Sequence, residues 1–100
     1  MIKHIVVWKF KDSAHGNDRA TNARLTKEKL ESLRGRIPGL LAIEVGLDFS
    51  ATPTSADAVL VSEFTDPAAL QTYQAHPLHL AIVAFVAEAA SERRVVDYEA

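Results

Sequence analysis

The sequence of 100 residues contains no cysteine. Disulfide cross-links, thiolate nucleophiles, thiolate zinc sites and iron–sulfur clusters are therefore excluded. An excess of one charge is also missing, because 11 basic and 13 acidic residues are dispersed along the chain. Since no basic stripe is available to release counterions, we expect neither nucleic acid nor an anionic membrane surface as a partner.

Long hydrophobic runs are absent as well. No apolar stretch is long enough to cross a bilayer, and from Ile2 the chain alternates like a strand rather than a signal peptide. We therefore expect a cytoplasmic location and no membrane partner. A hydrophobic content of 48% in a chain of this length predicts a single domain over residues 1–100, with no room for a second.

The first half of the chain shows two different periodicities. Residues 2–11 alternate with a period of two, which predicts a strand with His4, Val6 and Trp8 on its larger apolar face. The polar stretch that follows reads as a loop. From about Arg19, apolar residues recur at helical spacing as far as Ile37, and we expect Gly35 and Pro38-Gly39 to stop this helix. Residues 40–49 alternate again, which places Phe49 on the apolar face of a second strand.

The second half contains one helix-start signal and one helix break. Residues 58–64 form the most continuous strand pattern, after which Asp66 can cap a helix that Pro67 opens at its first position. Proline disfavours helix in the residue before it, so His76-Pro77 predicts a bend before the helix continues to about Ala90. Residues 92–99 predict a final short strand.

The resulting order, β-α-β-β-α-β, predicts a ferredoxin-like α+β fold. In this fold a four-stranded antiparallel sheet carries both helices on one face. The other face of the first strand bears Ile5 and Val7 between lysines, which is too apolar for full exposure to water. We therefore expect a homodimer in which two sheets close into a dimeric α+β barrel.

Segments along the whole chain resemble the stress-responsive A/B barrel (Dabb) family. They are KHIVVWKFKD, IPGL, EVGLDFS, VLVSEFTDPAALQTYQAHPLH and RRVVDYE. The resemblance implies a dimeric ferredoxin-like α+β barrel. It does not imply one activity, because the family includes plant proteins linked to heat and drought stress, a ring-forming heat-stable protein and a plant polyketide cyclase.

The resemblance also implies candidate catalytic residues. In the cyclase, the residues that match Tyr73 and His79 act in an aldol cyclisation, those that match His4 and Asp97 lie nearby, and no metal or organic cofactor takes part. The aromatic side chains that line the cyclase pocket from the first helix correspond here to positions around Thr26, Lys27 and Leu30. Trp8 also stands on the pocket-facing side, where its indole could fill the space that a ligand needs.

These residue types suit proton transfer. A neutral imidazole can accept a proton, a carboxylate on its other nitrogen fixes its tautomer, and a phenol can donate to a developing oxyanion. We expect His79 as the base with Asp97 orienting it, and Tyr73 and His4 polarising an oxygen. The candidate ligand-binding residues are Val6, Trp8 and His76.

Structural roles compete with these catalytic ones. His79 and Asp97 could instead form a buried hydrogen-bonded pair, and His76 could cap the helix that Pro77 opens. No HxxxH pair and no closely spaced carboxylate accompany the histidines, so we expect no metal site. The resemblance to the cyclase implies that no cofactor is needed. Three functions stay open: a homodimeric barrel that binds a small apolar ligand without turnover, a cofactor-independent polyketide-cyclase-like enzyme acting on a small carbonyl compound, and a monooxygenase-like barrel.

Overall fold

The computed structural model describes all residues, 1–100, and contains one four-stranded antiparallel sheet with its long helices on one face. This confirms the predicted ferredoxin-like α+β fold. The strand order is the second, third, first and last of the long strands. In chain order the elements are β1 (Ile2–Phe10), β2 (Ser13–Ala14), β3 (Asn17–Asp18), α1 (Arg19–Glu31), β4 (Leu40–Leu47), β5 (Ala58–Phe64), α2 (Pro67–Ala75), α3 (Pro77–Ala89) and β6 (Ala90–Glu99).

Strand β1 lies in the middle of the sheet, between β5 and β6. Its burial alternates strictly, as the period of two predicted, because one face meets the helices and the other does not. The same face of β5 is buried as well. Together these two strands supply much of the core, including Val6, Trp8, Phe10, Leu60 and Phe64.

The segment after β1 is not a plain loop, as its composition suggested, but a small hairpin formed by β2 and β3. His15 and Gly16, the two residues between these strands, both have positive φ, 54° and 73°. Two consecutive left-handed residues are what a two-residue hairpin turn requires. The side-chain amide of Asn22 donates to the Ala14 carbonyl (3.0 Å), which ties the hairpin to α1.

Two predicted elements end earlier than the periodicity indicated. Helix α1 ends at Glu31, so Leu33 and Ile37 are buried from a series of turns rather than from a helix. Strand β4 ends at Leu47, where its pairing with β5 ends, and Phe49 beyond it is 96% exposed. Phe49 therefore does not continue the buried face of the strand.

The outer edge of β4 is closed by side chains from α1 and the turn after it. The Glu31 carboxylate accepts the Val45 N–H (3.0 Å), and the Lys27 ammonium donates to the Val45 carbonyl (2.6 Å). Arg34 donates to the Ile43 carbonyl (2.5 Å). The Lys27 contact lowers the pKa of Glu31. Unpaired strand edges invite pairing with another chain, and these contacts block this one.

Helices α2 and α3 are separated by a single non-helical residue. Asp66 caps α2 by accepting the Ala69 N–H (2.8 Å), as predicted. His76 is extended (φ −67°, ψ 134°), which is the conformation that a following proline favours. Its Nδ1 accepts the Leu78 N–H (3.1 Å). The predicted break is therefore a clean end of one helix and a capped start of the next.

Helix α3 is apolar on two sides, but only one side is covered. Ile82, Val86 and Ala89 are buried against the sheet, whereas Leu80 and Val83 are exposed. None of the helices is long and apolar enough to span a membrane.

The sheet face that turns away from the helices is largely apolar. Lys3 and Glu63 form an ion pair there (3.5 Å). Strand pairing places apolar side chains from three neighbouring strands side by side on this face, and all are half-buried or exposed. They are Ile5, Val7, Val59, Val61, Val96 and Tyr98.

Candidate functional site

A cavity of about 270 Å³ lies between α3 and the helix-facing side of the sheet. Most of its wall is apolar and comes from β1, β5, α1 and α3. The polar groups in the wall are His4, His79, Ser91, Glu92 and Arg93. Its volume is near the lower end of the range for small-molecule sites, so it suits a small ligand.

Val6 and Trp8, two of the candidate ligand-binding residues, line this cavity. Trp8 is almost fully buried, yet its indole does not fill the space above β1. The expectation that this residue could turn the pocket into solid core therefore does not hold for the whole volume. The Trp8 indole N–H is buried without a hydrogen-bond partner.

His4 and Asp97 form a side-chain hydrogen bond between His4 Nδ1 and an Asp97 carboxylate oxygen. The two residues are directly opposite each other on β1 and β6. His4 is 2% exposed, and the Asp97 side chain is 41% exposed. An ionised carboxylate can only accept, so Nδ1 carries the proton, and in the neutral ring Nε2 is left as an acceptor. The predicted partner of Asp97 was His79, and the structure instead pairs it with His4.

His79 lies in the first turn of α3 and also lines the cavity. Its Nδ1 is 3.4 Å from the Gln74 carbonyl, which can only accept, so Nε2 of the neutral ring is again free. Burial lowers the pKa of His79, and the charges of His4, Arg93 and His76 lower it further, against the effect of the Gln74 carbonyl. His79 is therefore a neutral imidazole at pH 7.

The Tyr73 ring packs against the His79 ring, with 4.1 Å between their centroids. The centroids of the Tyr73 and His4 rings are 6.2 Å apart. It is completely buried, and its hydroxyl has no hydrogen-bond partner. Burial raises the pKa of Tyr73. Tyr73 is not part of the cavity wall, so its role as a donor to a ligand oxygen stays a prediction.

His76 does not line the cavity, although the sequence made it a candidate ligand-binding residue. Its ring nitrogen is engaged as the cap of α3. The capping alternative is therefore the one that its contacts support. No three His, Asp or Glu side chains come together in a group that could hold a metal ion, so His4, His76 and His79 do not form one.

The sequence reasoning missed the polar residues at the mouth. Ser91, Glu92 and Arg93 lie at the start of β6, are exposed, and line the cavity. The signal that could have found Arg93 is its even spacing from Asp97, because residues four apart on a strand share a face. Val83 and Val86 of α3 complete the wall on the opposite side.

The stress responsive A/B barrel domain is a family model that matches residues 2–100. The chain is also similar to a solved dimeric protein of unknown function and ferredoxin-like fold from Bacteroides fragilis NCTC 9343. The two share 33% sequence identity and a TM-score of 0.85, over 99% of this chain and 95% of that one. No curated protein sequence matches the chain significantly.

Two further solved structures share the fold. A Dabb family protein from Mesorhizobium loti has 23% identity and a TM-score of 0.77, over 99% of this chain and 95% of that one. The hydroxynitrile lyase of Passiflora edulis has 16% identity and a TM-score of 0.80, over 97% of this chain and 90% of that one. At these identities the likeness concerns the fold alone.

The lowered pKa of His79 predicts a loss of stability in acid. Between the lowered pKa and the ordinary value of 6.5, the unfolded chain binds more protons at this residue than the folded chain. The free energy of unfolding should therefore increase as the pH is raised across this window. Urea denaturation of the wild type and His79→Gln between pH 5 and 8 measures this. The variant should lose less stability below pH 6.5, and identical pH profiles would contradict the assignment.

Proposed function

The chain belongs to the stress responsive A/B barrel domain family, and on that premise we propose that it forms a homodimer whose subunits each bind a small, mostly apolar ligand. The ligand site is the cavity between α3, β1 and β6. One observation carries this proposal: an open apolar space persists beside Trp8, with His4 and His79 in its wall.

The composition of the cavity wall favours such a ligand. Valine, leucine and isoleucine side chains around the space can bury an aliphatic or aromatic group, at about 0.8 kcal/mol for each methylene removed from water. The free Nε2 atoms of the neutral imidazoles can accept a hydrogen bond from it. An apolar body with a polar end therefore fits this cavity better than a sugar or a nucleotide.

Trp8 provides the readout for ligand binding, because it is the only tryptophan and lines the cavity. We expect 1-octanol to change the fluorescence of Trp8 in a saturable way. The variant Val86→Phe, which grows into the cavity, should weaken this binding about tenfold or more. The matched control is Leu80→Phe, on the exposed side of the same helix, which should bind like the wild type. Equal binding by both variants would argue against this cavity.

The homodimer is supported by the uncovered sheet face and by the Bacteroides fragilis protein, which is described as dimeric. Apolar side chains from β1, β5 and β6 lie side by side there. A second copy would cover them and would leave the ligand cavity untouched, because the cavity is on the helix side of the sheet. Contacts from α1 block the edge of β4, so pairing through that edge is disfavoured.

Sedimentation analysis tests the homodimer. The wild type should have twice the subunit mass of 10.9 kDa. Val61→Asp places a charge at the centre of the uncovered face and should give monomers, because a buried unpaired charge opposes association. Leu80→Asp, on the helix side, is the control: Leu80 is 52% exposed and Val61 37%, and this variant should stay dimeric. A dimeric Val61→Asp protein would place the interface elsewhere.

A second candidate function is cofactor-independent proton transfer on a small carbonyl compound. The observation that favours it is the His4–Asp97 pair beside the cavity, together with a neutral His79. Asp97 fixes the tautomer of His4, and the free Nε2 of His79 is the candidate base. The lyase that shares the fold is compatible with such chemistry. The monooxygenase-like alternative rests on fold alone, and no side chain of the wall favours it.

Hydrogen–deuterium exchange tests this second candidate. The protein should speed the exchange of the α-protons of cyclohexanone in deuterated buffer, followed by ¹H NMR, beyond the rate of free imidazole at the same concentration. His79→Gln should reduce the excess rate about a hundredfold, in the range that general bases contribute. His76→Asn retains a capping side chain and should keep the wild-type rate. A wild-type rate no higher than that of imidazole would exclude the base role.

A further inference from the structure

Arg93 occupies a position that the binding of an apolar ligand does not explain. It is opposite Trp8 in the pairing of β1 and β6, so it belongs to the same side of the sheet as Trp8 and the cavity. It lines the mouth of the cavity and is exposed. The mouth of an otherwise apolar space thus carries a permanent positive charge, because a guanidinium does not lose its proton in proteins.

No carboxylate forms an ion pair with Arg93. The ion pairs of the chain join other residues, and none brings a carboxylate oxygen within 4.0 Å of Arg93. Asp97, two pairs along on the same side of the sheet, is engaged by His4. Glu92 also lines the mouth, but it is exposed and makes no ion pair with Arg93. The five N–H donors of the guanidinium are therefore available to a ligand.

The charge of Arg93 also acts on two side chains near the cavity. Burial lowers the pKa of His79, and the positive charge of Arg93 lowers it further. Arg93 also acts on Tyr73, in the direction that favours a negative charge. A negative group at the mouth would be attracted by the Arg93 guanidinium, whereas a cationic group would be repelled by it.

We propose that the ligand of the cavity is a small apolar carboxylate, whose tail lies against Trp8 and α3 and whose carboxylate is bound by the Arg93 guanidinium at the mouth. This inference rests on the proposed function and narrows its ligand class. The planar guanidinium and a carboxylate form two parallel hydrogen bonds, which fixes the head of the ligand as well as attracting it. An amphiphile therefore enters with its tail first.

A pair of ligands with the same tail tests the inference. Octanoate and 1-octanol share an eight-carbon chain and differ in charge at pH 7.5. Trp8 fluorescence and isothermal titration calorimetry should show octanoate binding about tenfold more tightly than 1-octanol, the size expected for a charge-assisted pair near the surface. The preference should fall at high salt, since the pair is close to solvent. Acetate, which has the head without the tail, should not bind measurably.

Two arginine variants separate a specific contact from net charge. Arg93→Gln should reduce octanoate affinity about tenfold and leave 1-octanol affinity unchanged. Arg94→Gln changes the charge equally but lies on the opposite side of β6, and it should keep the wild-type preference. If both ligands bind equally, or both variants behave alike, the anion inference is overturned while the cavity remains a binding site. If neither ligand binds, the proposed function falls with it.

Discussion

The structure depends on the burial of one face of β1. This strand lies in the middle of the sheet, and its helix-facing side chains are buried and mostly apolar. His4 is the titratable member of that face, and its Nδ1 is bonded to Asp97 on the next strand. A hydrogen bond to a charged group contributes about 1.5–3 kcal/mol, and losing either partner would leave the other uncompensated. The core and the candidate site therefore share one face of one strand.

The non-helical residue between α2 and α3 decides where the second imidazole lies. Pro77 ends the first helix, and His76 caps the second, so His79 falls in the first turn of a helix with its own direction. Tyr73, at the end of α2, then packs behind His79. A continuous helix would carry these residues along a single axis. The His76-Pro77 dipeptide thus sets the position of His79, although the His76 ring itself does not line the cavity.

Local signals predicted most of the fold. Strands β1 and β5 and the start of α2 at Asp66-Pro67 were predicted from neighbouring residues alone. All three predictions are confirmed. The β2–β3 hairpin was missed because His15 replaces the usual Asn or Asp before Gly16. Helix α1 was predicted to be too long, because Leu33 and Ile37 continue its helical spacing. They lie in the turns that follow the helix and are buried there.

The site was less accessible to sequence reasoning than the fold. Whether Asp97 meets His4 or His79 depends on the pairing of β1 with β6, residues far apart in the chain. Whether Trp8 fills or lines the cavity depends on how the helices pack on the sheet, and the cavity volume cannot be predicted from a local sequence pattern. His4 and His79 both line the cavity, but their hydrogen-bond partners depend on the three-dimensional arrangement.

Alternate residues of strand β6 belong to the two opposite faces of the sheet. Arg93, Val95 and Asp97 belong to the helix side of the sheet, and Arg94, Val96 and Tyr98 belong to the uncovered side. Because a one-residue slip exchanges the faces of a strand, inserting or deleting a single codon within β6 would swap both surfaces at once. Substitutions, in contrast, can alter one surface and spare the other.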